Sequence, residues 1–199
     1  MLLGFPNMER GKNMQKTSTR KLVLTAIMIA LATVLSMIKV WQMPLGGSVT
    51  LLSMLPIAVL SIKYGTKWGL FSAFVYSLAQ IGTDLSSLMS WGMTLKIWIG
   101  CIIFDYLLAY TMIGLSGVFR KKGDLGICIG VALALILRFV CHIISGTIFF
   151  DIWCPDGWSV IPYSICYNGA FMLPELVFTM IATVIIIKVP HIKALLKEE

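Results

Sequence analysis

The stretch that decides the fold is RFVCHIISGTIFFDIWCPDGWSVIPYSICYNG, residues 138–169. It begins in one apolar run, crosses a short acidic and aromatic loop, and enters a second apolar run. Such a pattern predicts two helices that cross a membrane and turn back on each other. The same stretch holds an arginine, a histidine, tyrosines and an asparagine at or beside membrane depth. Polar groups are costly there, and ionisable ones mark functional sites.

The composition of the whole chain supports a membrane location. The 199 residues are 58% hydrophobic and 13% charged, whereas a soluble domain has roughly 25% charged residues. The net charge of +7 lies at the ends of the apolar runs, so it indicates membrane topology and argues against a nucleic-acid partner. Five cysteines without metal-ligand spacing predict no metal site, and no motif predicts a cofactor.

Six apolar runs lack the alternation of strands and approach the length of about 20 residues that a spanning helix needs. We therefore predict an all-α integral membrane protein with six transmembrane helices. Their expected bounds are 22–40, 51–62, 68–82, 96–118, 125–150 and 162–189. The expected organisation is a cytoplasmic tail at 1–20, a membrane domain at 21–190 and a second cytoplasmic tail at 191–199.

The distribution of basic residues predicts the orientation. Thirteen of the 16 lysines and arginines fall in the two tails and in the loops after the second and fourth helices, which places those segments in the cytoplasm. Both termini are then cytoplasmic, as an even number of spans requires. The opposite side carries acidic residues and tryptophans, among them Asp84 and Trp158. These tryptophans are expected either to anchor the chain at the lipid interface or to cover a ligand.

Three polar side chains on different predicted helices reach a similar depth. At 1.5 Å per residue, Asp105, His142 and Asn168 lie about 13, 12 and 9 Å below the outer ends of their helices. Tyr106 and Tyr163 lie nearby, which predicts a pocket open to the outside. Asp105 is expected to be the counter-charge of a positively charged substrate; alternatively, it caps a backbone group or pairs with His142.

Two further groups of residues complete the expected site. Aromatic rings around the mouth favour flat heterocycles and cations; they are Tyr106, Phe150, Trp153, Trp158 and Tyr163. Deeper in the membrane, Arg138 and Glu175 are predicted to pair directly or through a network, either locking two helices together or supporting binding. The segment WQMPLGGSVTL after the first helix is interrupted by proline and glycines, and it is either a mobile lid or an ordinary loop.

The chain resembles the thiamine-specific S-components, which are the substrate-binding membrane subunits of energy-coupling-factor (ECF) transporters. The carrying segments are MPLGGSVTLLSMLP at 43–56, FDYLLAY at 104–110, RFVCHIISGTIFF at 138–150 and YSICYNG at 163–169. The resemblance implies a six-helix protein of the cell membrane that binds thiamine from outside and performs no chemistry. It also implies that transport needs a separate coupling subunit and two cytoplasmic ATPases; the chain itself has no Walker motif.

The resemblance also implies roles for individual residues. The substrate-binding positions fall on Asp105, Tyr106, His142, Tyr163 and Asn168, and the tryptophan of the loop after the first helix falls on Trp41. The main stacking ring is Phe150, where some members have tryptophan, or alternatively Trp158 or Trp153. The basic residue four before the histidine falls on Arg138. The small residues Ala26 and Ala30 match the surface that docks the coupling subunit, because small pairs let helix backbones approach closely. Two alternatives stay open: a stand-alone proton-coupled thiamine carrier, and an S-component for another vitamin. An enzyme is disfavoured because no nucleophile or metal cluster accompanies His142.

Overall fold

The computed structural model describes residues 6–197, and nearly all of them are helical. The main helices are α1 (Pro6–Met37), α2 (Leu55–Tyr64), α3 (Thr66–Ser90), α4 (Leu95–Cys101), α5 (Ala109–Met112), α6 (Gly123–Ile148), α7 (Val160–Lys188) and α8 (Pro190–Lys197). Each predicted span coincides with helical structure, although the bounds differ. Residues 1–5 and 198–199 of the predicted tails lie outside the described residues.

Both predicted tails contain helical residues. Helix α1 begins at Pro6, ahead of the predicted span that starts at residue 22, and the last eight described residues form helix α8. The ammonium group of Lys193 on α8 lies 2.7 Å from the Asp124 carboxylate at the start of α6. Helix α8 therefore lies against the bundle end at which α2 ends and α6 begins.

A two-stranded hairpin corrects the all-α prediction. Strands β1 (Lys39–Gln42) and β2 (Ser48–Thr50) pair antiparallel, with Trp41 opposite Val49, and Pro44–Gly46 form a 3-10 turn at the tip. The turn needs Gly46, whose φ of +92° is a conformation that side chains disfavour. The segment after the first helix is thus neither an extension of that helix nor an irregular loop.

The helix that carries Asp105 is irregular in its middle. From Leu95 to Gly117 the chain stays helical, but Ile102–Leu108 form a π-helix and Ile113–Gly117 a 3-10 helix. A π-helix widens the turn and re-aims the side chains within it, and such segments are frequent at functional sites. Asp105 and Tyr106 both lie in this π-helical segment.

At the end away from the hairpin, α2, α3 and the 3-10 helix cross with their backbones in contact. The Ser61 hydroxyl donates to the carbonyl of Gly114 at 2.5 Å and accepts from the amide of Gly117 at 2.9 Å. A Cβ atom on Gly114 would lie 2.5 Å from the backbone of Leu70, so this crossing requires glycine. Buried apolar residues, including Ile57, Leu60 and Ile113, pack around it.

Three helical stretches are long and apolar enough to cross a membrane, namely Ser18–Met37, Leu95–Ile148 and Val160–Lys188. The second folds back on itself at residues 118–123 and so comprises two arms. Large apolar side chains such as Ile136 and Ile181 are about half exposed on these helices. An apolar exterior of this extent is what lipid contact requires. These features support a membrane protein, whereas the count of six spans and the side of the termini stay predictions.

Candidate functional site

A cavity of about 620 Å³ lies at the hairpin end of the bundle. Its wall is formed by the hairpin, by α3, by the π-helical segment, and by α6 and α7. Six of the eight predicted substrate-binding residues line it, and these are Asp105, Tyr106, His142, Phe150, Tyr163 and Asn168. The volume falls within the range of about 300–1,000 Å³ that small-molecule sites occupy.

The two remaining residues lie elsewhere. Trp41 on β1 and Trp158 in the loop before α7 do not line the cavity and are 51% and 55% exposed. Trp158 instead contacts Tyr163 edge-on, with ring centroids 6.2 Å apart. The cavity is lined by two other tryptophans, Trp91 and Trp153. In this conformation Trp41 and Trp158 therefore fit an interfacial position better than contact with an occupant of the cavity.

The carboxylate of Asp105 is held by two partners on α6. His142 Nδ1 lies 2.8 Å from Asp105 Oδ1, and the Ser145 hydroxyl donates to Oδ2 at 2.5 Å. Of the alternatives that the sequence left open, the structure therefore has the pairing of Asp105 with His142. The His142 Nε2 atom is buried and has no hydrogen-bond partner in the described part of the chain. The result is an oriented acid–imidazole pair in which His142 Nε2 can still form a hydrogen bond to an occupant of the cavity.

Asn168 is fixed beside this pair by the closeness of α6 and α7. Its amide nitrogen donates to the His142 carbonyl at 3.3 Å and to the Ser164 carbonyl at 2.9 Å. The Ser164 hydroxyl in turn donates to the carbonyl of Ile143 at 3.0 Å. The amide nitrogen is thus committed to the backbone, and the carbonyl oxygen of Asn168 is the atom left for an occupant.

Arg138 and Glu175, which were predicted to pair directly or through a network, form no direct ion pair in the described chain. Arg138 donates to the sulfur of Met54 and lies 4.3 Å from the ring centre of Tyr110. Glu175 Oε1 accepts from the amide and hydroxyl of Thr50, at 2.5 and 2.6 Å. Glu175 does not contact Arg138 because its carboxylate binds Thr50 on β2, and the sequence did not predict this strand.

The tip of the hairpin is fastened over the cavity. The Tyr167 hydroxyl donates to the Pro44 carbonyl and accepts from the Gly47 amide at 3.2 Å. Gly46 packs against the indole of Trp91, close enough that a Cβ atom would lie 2.5 Å from the ring. The segment that the sequence offered as a lid or a loop thus covers the cavity and contacts both α7 and the end of α3.

Helix α3 also contributes to the cavity, which was not predicted, because the helix continues eight residues beyond its predicted end. Gln80, Asp84, Ser87 and Trp91 all line the cavity. Their spacing of four, three and four residues is that of a single helix face. This periodicity was the available signal, but the predicted helix ended at residue 82 because the hydropathy falls there. Asp84, predicted to lie in an outer loop, is therefore a cavity residue.

The predicted docking pair lies on a free face of α1. Ala26 and Ala30 are both exposed, and the larger neighbours Val23, Ile27 and Val34 are 53%, 58% and 57% exposed. The face is therefore apolar, with small residues at its centre. Its geometry is compatible with close approach of another helix.

Comparison with known proteins gives consistent results. The family model described as "Thiamine transporter protein (Thia_YuaJ)" matches residues 22–194. The chain is 31% identical over 175 residues to the thiamine transporter ThiT of Bacillus subtilis (strain 168), covering 81% of this chain and 86% of the relative. It is 26% identical over 155 residues to ThiT of Lacticaseibacillus paracasei, covering 68% and 71% of the two chains.

Among solved structures, ThiT from Listeria monocytogenes superposes with a TM-score of 0.72 at 22% identity, over 92% of this chain and 100% of that one. At this identity the match shows the fold. The matching family and both sequence relatives are named as transporters, which confirms the prediction of a transport role rather than an enzymatic one. The resemblance read from the sequence is likewise confirmed: the chain belongs to the thiamine transporter protein (Thia_YuaJ) family.

Proposed function

We propose that the chain is the high-affinity thiamine-binding subunit of an ECF-type uptake transporter in the cell membrane. It crosses the membrane six times with both termini in the cytoplasm, and thiamine enters from outside at the hairpin end. The observation that carries the proposal is the covered cavity in which acid, imidazole, amide and aromatic groups meet. Family membership supplies the substrate class.

The groups in the cavity suit the two rings of thiamine. The aminopyrimidine ring offers donors and acceptors for the free Nε2 atom of His142 and for the Asn168 carbonyl oxygen. The rings of Tyr106, Phe150 and Tyr163 offer faces for stacking. The thiazolium ring is a permanent cation, and a carboxylate in a site of low dielectric stabilises it; two carboxylates, Asp84 and Asp105, line the cavity.

Under this proposal transport depends on partner subunits, because the sequence has no nucleotide-binding motif with which to use ATP itself. We assign the energy source to a coupling membrane subunit and two cytoplasmic ATPases, with the exposed face around Ala26 and Ala30 as the docking surface. The chain alone then binds thiamine without moving it across the membrane. The two rivals named above, a proton-coupled carrier and a receptor for another vitamin, make different predictions.

Titration of the purified protein with thiamine tests the proposal. We expect saturable quenching of tryptophan fluorescence, since Trp91 and Trp153 line the cavity, and no effect of riboflavin at the same concentrations. Quenching by riboflavin instead of thiamine would assign a different vitamin. Liposomes that contain this chain alone should accumulate no thiamine under a pH gradient; accumulation would favour the proton-coupled carrier.

A further inference from the structure

Asp84 is a second carboxylate in the cavity, and it differs from Asp105 in how it is held. It lies on α3, is half-buried, and receives one hydrogen bond, from the Tyr106 hydroxyl to Oδ2 at 3.1 Å. Its other oxygen has no hydrogen-bond partner among residues 6–197. Both oxygens of Asp105, in contrast, are taken by His142 and Ser145. Asp84 thus has greater capacity for an outside partner.

No lysine, arginine or histidine among the described residues forms an ion pair with Asp84. The cavity contains two basic side chains. Arg138 is directed to Tyr110 and Met54, and Lys39 lies exposed on β1 at the rim. A half-buried carboxylate with neither a cation nor a full set of hydrogen bonds is costly to keep in a membrane protein. A positively charged occupant would offset that cost.

The placement of the charges along the bundle favours one orientation of such an occupant. Asp84 lies six residues before the end of α3, about 9 Å below the hairpin end, while Arg138 lies ten residues before the end of α6, about 15 Å below it. A cationic ring is therefore attracted towards Asp84 and repelled from the deeper arginine. Tyr106, which orients Asp84, also presents an aromatic ring to the same space.

We propose that Asp84 is a specificity-determining residue that supplies the counter-charge for the thiazolium ring, and that Tyr106 positions its carboxylate. The Asp105–His142 pair then serves the aminopyrimidine ring. This assignment rests on the proposed function, and it divides between two acids the work that the sequence analysis gave to Asp105 alone. It predicts that the preference for a positively charged ligand over a neutral one depends on Asp84 of α3.

The test separates charge from shape by using two ligands. Thiamine and an analogue in which a neutral thiophene ring replaces the thiazolium are titrated calorimetrically into wild-type protein and Asp84→Asn. We expect Asp84→Asn to weaken thiamine binding at least tenfold, while binding of the neutral analogue changes by less than about threefold. Asp156→Asn removes an exposed carboxylate that does not line the cavity, so it controls for net charge and should leave both affinities unchanged.

Tyr106→Phe keeps the carboxylate and removes its one hydrogen bond, so it should weaken thiamine several-fold and spare the analogue. If Asp84→Asn does not fold, Tyr106→Phe tests whether Asp84 is the counter-charge of the thiazolium ring. Equal losses for both ligands, or none for either, would overturn the assignment. A wild-type protein that binds neither ligand would instead contradict the proposed function, so the two failures are distinguishable.

Discussion

Thr50 joins the hairpin to the bundle, and Thr50→Val measures what that connection contributes. Glu175, which is 1% exposed, accepts hydrogen bonds from the Thr50 amide at 2.5 Å and from its hydroxyl at 2.6 Å. Valine has nearly the same shape and keeps the amide bond. It removes the hydroxyl bond to the glutamate and a 2.7 Å contact with the Ser53 hydroxyl.

The magnitude follows from these two contacts. A hydrogen bond to a carboxylate contributes about 1.5–3 kcal/mol and one between hydroxyls about 1 kcal/mol, while the added methyl group recovers part of the loss. We therefore expect Thr50→Val to lower the free energy of unfolding by about 2–3 kcal/mol. For a chain of this length that corresponds to a fall of about 4–12 °C in the unfolding midpoint.

Thermal unfolding in detergent, followed by tryptophan fluorescence, measures the effect. Thr50→Ser retains the hydroxyl and is the matched variant, so its midpoint should lie close to that of the wild type. Ser53→Ala removes the weaker contact together with the interaction of Ser53 with Tyr76, so its effect is an upper limit for that share of the change, about 1 kcal/mol. If Thr50→Val unfolds at the same temperature as Thr50→Ser, the reasoning about the glutamate is refuted. If the loss falls wholly on the closed state of the hairpin, the rate of thiamine dissociation rises by about 30- to 140-fold.

Three further predictions concern the site, the partner surface and the hairpin tip. Asp105→Asn should weaken thiamine binding at least tenfold, about 1.4 kcal/mol, by calorimetry; an unchanged affinity would remove Asp105 from the site. Ala26→Trp combined with Ala30→Trp should abolish thiamine uptake by cells that supply the partner subunits but leave binding intact, and surviving uptake would exclude that docking face. Gly46→Ala should lower the unfolding midpoint more than Gly92→Ala, because both have positive φ but only Gly46 abuts an indole ring; equal shifts would argue against that packing.

The sequence predicted the helical parts of the fold and one wall of the site. Depth counting placed Asp105, His142 and Asn168 at one level, and all three line the same cavity. This worked because α6 and α7 are continuous apolar helices, along which rise per residue converts directly into depth. The same calculation took no account of the π-helical segment, whose position no simple periodicity reveals.

The hairpin and the polar end of α3 could not be predicted from the sequence, for two different reasons. Strand β1 is exposed along its whole length, so it has no alternation of buried and exposed residues to identify it. Residues 83–90 belong to a helix with polar side chains on the face that lines the cavity, and such a helix lacks the apolar signal used to find spans. The partner of Glu175 could therefore not be predicted, because it lies on strand β2, which is identified only in the folded structure.

The crossing of α2, α3 and the 3-10 helix around Ser61 and Gly114 has a consequence for how cargo can leave. Gates in proteins often open by the swing of one side chain, a motion of nanoseconds. At this end of the bundle main chain packs against main chain, with the Ser61 hydroxyl bridging the helices, so a rotamer change of one side chain does not open a passage. Any exit on that side requires whole helices to part, on a scale of microseconds to milliseconds. Without such a rearrangement the cavity opens only at the hairpin end, and a bound solute leaves by the opening through which it entered.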